Sequence, residues 1–265
     1  EAVTKSWKRR GIYDVLRNLY DHVLIYGSPS VFDPVSAYRF PDDLRGKTVF
    51  LNYVTDAGDI EARTPAPGDL LEGSPDEPLV VVTIGGGDGA GETVIGSYLD
   101  MLREAGSRVD FRSVILTGPF LSLELAHKFR QAARGLPATL HEFVPSTSPF
   151  LKSADLVVST AGYNTISQTL AHAKRALVIP RIMHRKEQLM RAKRLARMGL
   201  IRFLHPDDIS PQALFEEVKT LLADRAEPLA EGRERDLIRL DGAERLAAFC
   251  GRLHVPSSHL QEAAE

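Results

Sequence analysis

Directly after the apolar run Leu79 to Ile84 stand Gly85-Gly86-Gly87-Asp88-Gly89-Ala90-Gly91, five glycines in seven residues, and then a helical pattern. Glycine carries no Cβ to hold a ligand off the backbone, and the free N–H groups of a helix start can face an anion, so this segment can receive a phosphate or diphosphate. It lacks the Lys and Ser/Thr of a P-loop and the spacing of a dinucleotide fingerprint. A tight strand-to-helix turn is the other reading.

A second segment of this kind is Ser159-Thr160-Ala161-Gly162-Tyr163-Asn164-Thr165. Small residues again precede a helix start, where the summed backbone dipole adds about half a positive charge. Thr160 can meet a phosphate, and Asn164 and Thr165 offer phosphate contacts or simple caps. Two such helix starts beside one crevice would hold a diphosphate. Gln168, one turn further on the same face, can reach a ribose diol with its amide. A third segment, Arg181-Ile182-Met183-His184-Arg185-Lys186-Glu187-Gln188, brings a carboxylate and a carboxamide to a helix start, a combination that reads vicinal sugar hydroxyls. Arg181, His184, Arg185 and Lys186 can meet a phosphate there, as can Thr117 after an earlier strand, while the rest of the basic run to Arg197 reads as a solvated face.

The eight histidines show no close metal-ligand spacing, there is one cysteine, Cys250, and no Asp-x-Asp pair occurs, so no metal site is expected. No Gly-x-Ser-x-Gly elbow is present, which argues against an α/β-hydrolase. Lys plus Arg total 33 against 35 Asp plus Glu, a net charge of -2, so no overall field recruits nucleic acid. One cysteine suits a reducing compartment, and the cytoplasm is the expected location. No apolar run approaches the roughly 20 residues that span a bilayer, and no signal-peptide core follows the charged start.

These segments need a frame that brings strand ends together. From Leu79 onward short β-branched runs alternate with helical patterns, the rhythm of a parallel α/β sheet buried on both faces. Strands are predicted at Leu79 to Ile84, Ser113 to Leu116, Thr139 to Phe143, Leu156 to Ser159, Ala176 to Ile179 and Ile201 to Leu204. Helices are predicted at Glu92 to Ala105, Leu121 to Ala133, Pro149 to Ser153, Asn164 to Ala173, Glu187 to Met198 and Pro211 to Ala223. The result is a six-stranded Rossmann-like domain over 79–223. Residues 56–78 carry seven acidic residues, one basic residue and four prolines and read as a linker. Residues 1–55 offer a helix at Ile12 to Leu19 and strands at His22 to Tyr26 and Thr48 to Asn52, the expected tail of a second Rossmann-like domain. Within 224–265 an amphipathic helix is predicted over Arg233 to Cys250, with Leu237, Leu240, Leu246 and Phe249 as its apolar face.

In combination the three segments resemble the donor-binding domain of GT-B fold glycosyltransferases, and most nearly the MurG-like proteins with a family 28 C-terminal domain. The resemblance covers Leu79 to Ala223, with a weaker likeness on either side. It implies a diphosphate site at Gly85, Gly86, Gly87, Gly89, Gly162, Asn164 and Thr165. It further implies nucleobase contact at Phe143 and Val144, ribose contact at Gln168, where the family usually has Glu, and donor-sugar contact at Glu187 and Gln188. Where MurG-type proteins carry an Arg after the glycine-rich loop, this chain has Gly91.

The implied activity is metal-independent transfer of a sugar from a nucleoside diphosphate, UDP foremost, to an acceptor hydroxyl, with no cofactor beyond the substrate. Residues 1–55 would then end an acceptor-side domain and Arg233 to Cys250 would cross back to it. No residue is assigned as catalytic base, the acceptor is unknown, and peripheral membrane contact and a separate acceptor-domain partner remain open. Two rival readings are a non-catalytic nucleotide-sugar-binding subunit and a UDP-sugar epimerase of the same fold.

Overall fold

A computed structural model describes residues 2–55, 74, 76–85, 91–182, 187–224 and 238–253. The chain divides into two compact units, Glu1–Thr55 with Ile238–Glu265, and Asp56–Leu237. Most of the expected linker 56–78 lies outside the described residues.

The first unit opens with α1 (Ala2–Arg9) and α2 (Ile12–Leu19), joined at Gly11, whose φ of 64° makes the reversal. Strand β1 (Val23–Ile25), the short helices α3 (Pro34–Ala37) and α4 (Asp42–Lys47) and strand β2 (Thr48–Phe50) follow. The two strands pair in parallel, Val23 opposite Thr48 and Ile25 opposite Phe50. Both are shorter than predicted. Beyond them Gly27 and Asn52 form an isolated antiparallel bridge, with Asn52 at a φ of 64°, and the parallel ladder ends. Tyr13, Val35, Phe40 and Leu44 are buried together, with Trp7 packed against them. Asp33 accepts from the N–H groups of Val35 and Ser36, and Pro34 follows it at the first helical position, so α3 is a capped single turn.

The second unit alternates strands and helices without interruption. In order it has β3 (Leu79–Thr83), α5 (Gly91–Ala105), β4 (Arg112–Leu116), α6 (Leu123–Ala132), β5 (Ala138–His141) and α7 (Ser148–Ser153). Then come β6 (Leu156–Ser159), α8 (Tyr163–Ala171), β7 (Ala176–Val178), α9 (Glu187–Arg197), β8 (Arg202–Phe203) and α10 (Pro211–Ala223). All six strands are parallel, in the order β5-β4-β3-β6-β7-β8. β3 is buried along its whole length, as its unbroken Leu-Val-Val-Val run requires. Ile95, Tyr98, Leu99 and Leu102 of α5 and Leu214 and Val218 of α10 share one core with Val80 and Val82. Within it the Tyr98 hydroxyl and Ser113 Oγ are 2.9 Å apart, and burial pushes the Tyr98 phenol well above its usual range. Several strands end earlier than predicted: Ile84 and Phe143 have left the ladder, and Phe143 is 69% exposed.

Helix α11 (Gly242–Arg252) belongs to the first unit. It starts later than the predicted Arg233, and Leu240 precedes it; Leu237 and the residues before it to 225 lie outside the described residues. Backbone bonds Tyr53 N–H to the Arg239 carbonyl and Gly242 N–H to the Tyr53 carbonyl, each 3.0 Å, fasten its start, and the His22 ring meets Phe249 edge-on at 5.0 Å. Asn52 Nδ2 donates to Asp241 Oδ1 at 2.7 Å, and this bond, with Arg239 alongside, holds the Asp241 carboxyl below the usual carboxylate range. The folded-state value lies below the unfolded one, so this stabilisation is complete above the ordinary carboxylate value and is lost as pH falls through the lowered one. Acid unfolding of the first unit is therefore expected to soften below about pH 4 by less than about 1 kcal/mol from this group. In Asp241→Asn that contribution should vanish from urea unfolding curves taken across the same window; an unchanged pH dependence would rule out the coupling.

Candidate functional site

Strand order reverses between β3 and β6, where the chain leaves β5 and returns on the other side of β3. In open parallel sheets this is the place where a crevice opens at the carboxyl ends of the strands. Thr83 pairs with Ser159, so the loops leaving β3 and β6 start side by side. Between them lies a cavity of about 350 Å³, walled by Ile84 and Gly85 from one loop and by Thr160, Gly162, Tyr163, Asn164 and Thr165 from the other. Phe120, Arg181 and Gln188 complete it.

Glycine is required at Gly85, where the backbone leaves β3 at a φ of 72°. A Cβ there would stand 3.8 Å from Thr165 Oγ1, and one at Gly162 would stand 3.9 Å from the same oxygen. The two glycines therefore converge on one point. Gly162 is also the N-cap of α8, and no side chain caps that helix. Its first-turn amides and the positive end of its dipole thus open on the wall formed by Gly162, Asn164 and Thr165.

Two residues of α9 hold the opposite walls. Gln188 Oε1 accepts the Arg181 N–H at 3.1 Å, fixing the loop after β7 and leaving the Gln188 amide group as a donor beside the cavity. One turn later Arg191 Nη1 donates to the Ala161 carbonyl at 2.7 Å, and its guanidinium lies 6.0 Å from the centre of the Tyr163 ring. A smaller cavity of about 90 Å³ adjoins the first through Gly85 and is lined by Leu116, His141, Glu142, Phe143, Val144 and Thr147. Its exposed aromatic rim at Phe143 and its backbone groups are the chemistry that accepts a flat heterocycle. Among the described residues no three His, Cys, Asp or Glu side chains cluster closely enough to hold a metal ion.

The structure thus brings Gly85, Thr160, Gly162, Asn164, Thr165, Arg181 and Gln188 to one cavity and Phe143 and Val144 to its neighbour. Gly86, Gly87, Gly89, His184, Arg185 and Lys186 lie outside the described residues. Glu187 opens α9 half-buried but lines neither cavity, and Thr117, fully buried after β4, lines neither although its neighbours Leu116 and Gly118 line the smaller one. Gln168 also lines neither cavity: its Oε1 accepts from Thr147 Oγ1 at 2.8 Å, so Thr147 stands between it and the smaller cavity. Thr147, Phe120 and Arg191 escaped sequence reasoning. Arg191 had a signal, since it follows Gln188 by three residues and so shares its helix face. The other two are loop residues with no periodicity to place them.

The glycosyltransferase family 28 C-terminal domain matches residues 80–246. A UDP-N-acetylglucosamine--N-acetylmuramyl-(pentapeptide) pyrophosphoryl-undecaprenol N-acetylglucosamine transferase of Xanthomonas axonopodis pv. citri (strain 306) is 30% identical over 188 residues, 70% of this chain and 43% of that protein. Among solved structures, the glycotransferase of kitacinnamycin superposes with a TM-score of 0.64 at 16% identity, covering 96% of this chain and 66% of its own. The spinosyn rhamnosyltransferase SpnG complexed with thymidine diphosphate gives 0.58 at 19% identity, over 87% and 56%. These last two likenesses are of fold. The chain spans less than half the length of the curated relatives it matches. With that domain matched over more than half of this chain, and with Gly85 and the start of α8 meeting at the reversal of a parallel sheet, this chain belongs to the glycosyltransferase family 28 C-terminal domain family.

Proposed function

We propose that this chain supplies the nucleotide-sugar-binding part of a glycosyltransferase and takes a UDP-sugar as donor. The observation that carries this reading is the single cavity onto which Gly85 and the uncapped start of α8 both open. A diphosphate there accepts hydrogen bonds from first-turn amides in the field of the helix dipole, with Arg181 on the far wall. Its nucleobase enters the smaller cavity beside Phe143 and the Val144 backbone, and its sugar lies toward Gln188 and the start of α9. Sugar transfer breaks the bond between the anomeric carbon and the diphosphate, so negative charge grows on the leaving group. Preorganised amides aimed at that charge are worth about 3 kcal/mol each when well placed. This reading needs no metal, because backbone amides, the dipole and Arg181 meet the charge.

The name of the curated relative, a UDP-N-acetylglucosamine transferase, favours uracil, and the thymidine diphosphate complex of a fold neighbour supports a pyrimidine nucleoside diphosphate more broadly. The acceptor hydroxyl and the base that deprotonates it are assigned to no residue of this chain. A one-cysteine chain fits work in the cytoplasm.

Titration calorimetry with UDP, dTDP, GDP and inorganic phosphate tests the reading. UDP is expected to bind most tightly, with the same affinity whether or not Mg²⁺ is present. If no nucleotide binds more tightly than phosphate, the donor site is refuted.

A further inference from the structure

The Ala161 carbonyl sits beyond the end of β6, where no neighbouring strand can satisfy it, and Ala161 is fully buried. A buried carbonyl needs a partner. That partner is the guanidinium of Arg191, thirty residues further along, at 2.7 Å. The choice of side chain is informative. A neutral donor would satisfy the carbonyl equally, yet the chain places a cation there, half-buried, 6.0 Å from the centre of the Tyr163 ring and paired with no carboxylate among the described residues.

The Ala161 carbonyl shares its peptide plane with the Gly162 N–H. None of the described peptide bonds is cis, so the N–H points opposite to the carbonyl and away from Arg191. Gly162 is part of the cavity wall. Resting on the donor-site reading above, we propose that Arg191 is a positioning residue for the leaving diphosphate. By pinning the Ala161 carbonyl it turns the Gly162 N–H into the cavity and, as a charged donor, polarises that peptide so the N–H binds an anion more strongly. Gln188 does the matching work on the other side by fixing the Arg181 amide, so one face of α9 sets both loops that flank the phosphates.

The test uses the full chain, its Arg191→Met and Arg191→Gln variants, UDP and uridine as probes, and ¹⁵N-glycine labelling to follow the Gly162 amide. In the parent protein the Gly162 amide resonance should move on adding UDP and stay in place with uridine. Arg191→Met should bind UDP about 10- to 100-fold more weakly and uridine as before, and the UDP-dependent movement of Gly162 should disappear. Arg191→Gln keeps a neutral donor and should show a smaller loss confined to UDP; it decides the matter if the Met variant does not fold.

Unchanged UDP affinity in the variants overturns the proposal. So does an equal loss for UDP and uridine, which would make Arg191 a brace for the cavity as a whole. A parent protein that does not prefer UDP to uridine refutes instead the donor site on which the proposal rests.

Discussion

Gly162→Ala is expected to weaken UDP binding by about 10- to 100-fold while leaving the fold intact. Gly162 has φ -61° and ψ 145°, which alanine adopts without strain. The added methyl carbon would lie 3.9 Å from Thr165 Oγ1, an ordinary contact, and the loss at the N-cap is within about 1 kcal/mol. Nothing in the protein therefore resists the change. The methyl group does, however, stand on the wall where a diphosphate must approach the backbone closely enough to take its amide protons. Calorimetry with UDP, paired with a thermal unfolding curve, separates the two effects. Gly85→Ala is the contrasting case: at a φ of 72° alanine costs about 1 kcal/mol or more of stability, so affinity and folding fall together. A Gly162→Ala protein that binds UDP like its parent would show that the ligand does not use this wall.

The largest effect on stability is expected from Gly242→Ala at the start of α11. A Cβ there would come within 2.6 Å of the Tyr53 carbonyl oxygen, 2.7 Å of its carbon and 2.8 Å of Val54 Cγ2. The obstacle is backbone, and the same carbonyl accepts the Gly242 N–H at 3.0 Å, so relief of the clash breaks the bond that fastens the helix. A loss of about 2 to 4 kcal/mol is expected in the first unit. Urea unfolding should show a lowered midpoint, and hydrogen exchange should show lost protection across 242–252. An unaltered midpoint would mean that α11 can shift away from Tyr53 at little cost.

Strand-and-helix rhythm carried the second unit because its signals are long and redundant. Four consecutive apolar residues in β3, and apolar positions three and four apart in α5, have few competing readings. The first unit was read less well. Its α3 has four residues and α4 six, too short for any periodicity, although Asp33 followed by Pro34 is a cap signal that marks α3. At the site, backbone-based expectations fared differently from side-chain ones. Gly85 and Gly162 follow the apolar runs of β3 and β6, whose ends the sequence marks to within a residue.

Gln168 lines neither cavity and bonds Thr147, because a side chain's partner depends on loops distant in the chain. Arg191 reads as one member of a basic run because its acceptor, Ala161, is thirty residues away and offers only a main-chain oxygen. Gly91, where the resemblance to MurG-type proteins leads one to expect an Arg, has a packing reason that no spacing reveals. A Cβ at that position would fall 2.0 Å from Ile84 Cδ1, so the close approach of α5 to the end of β3 demands glycine.

A crystal structure of the chain grown with saturating UDP measures the central claim directly. The diphosphate should lie between Gly85 and Gly162, its oxygens within about 3 Å of amide nitrogens in the first turn of α8, with the uracil ring beside Phe143. Diphosphate bound away from these two loops, with the cavity between them left without it, would contradict the account.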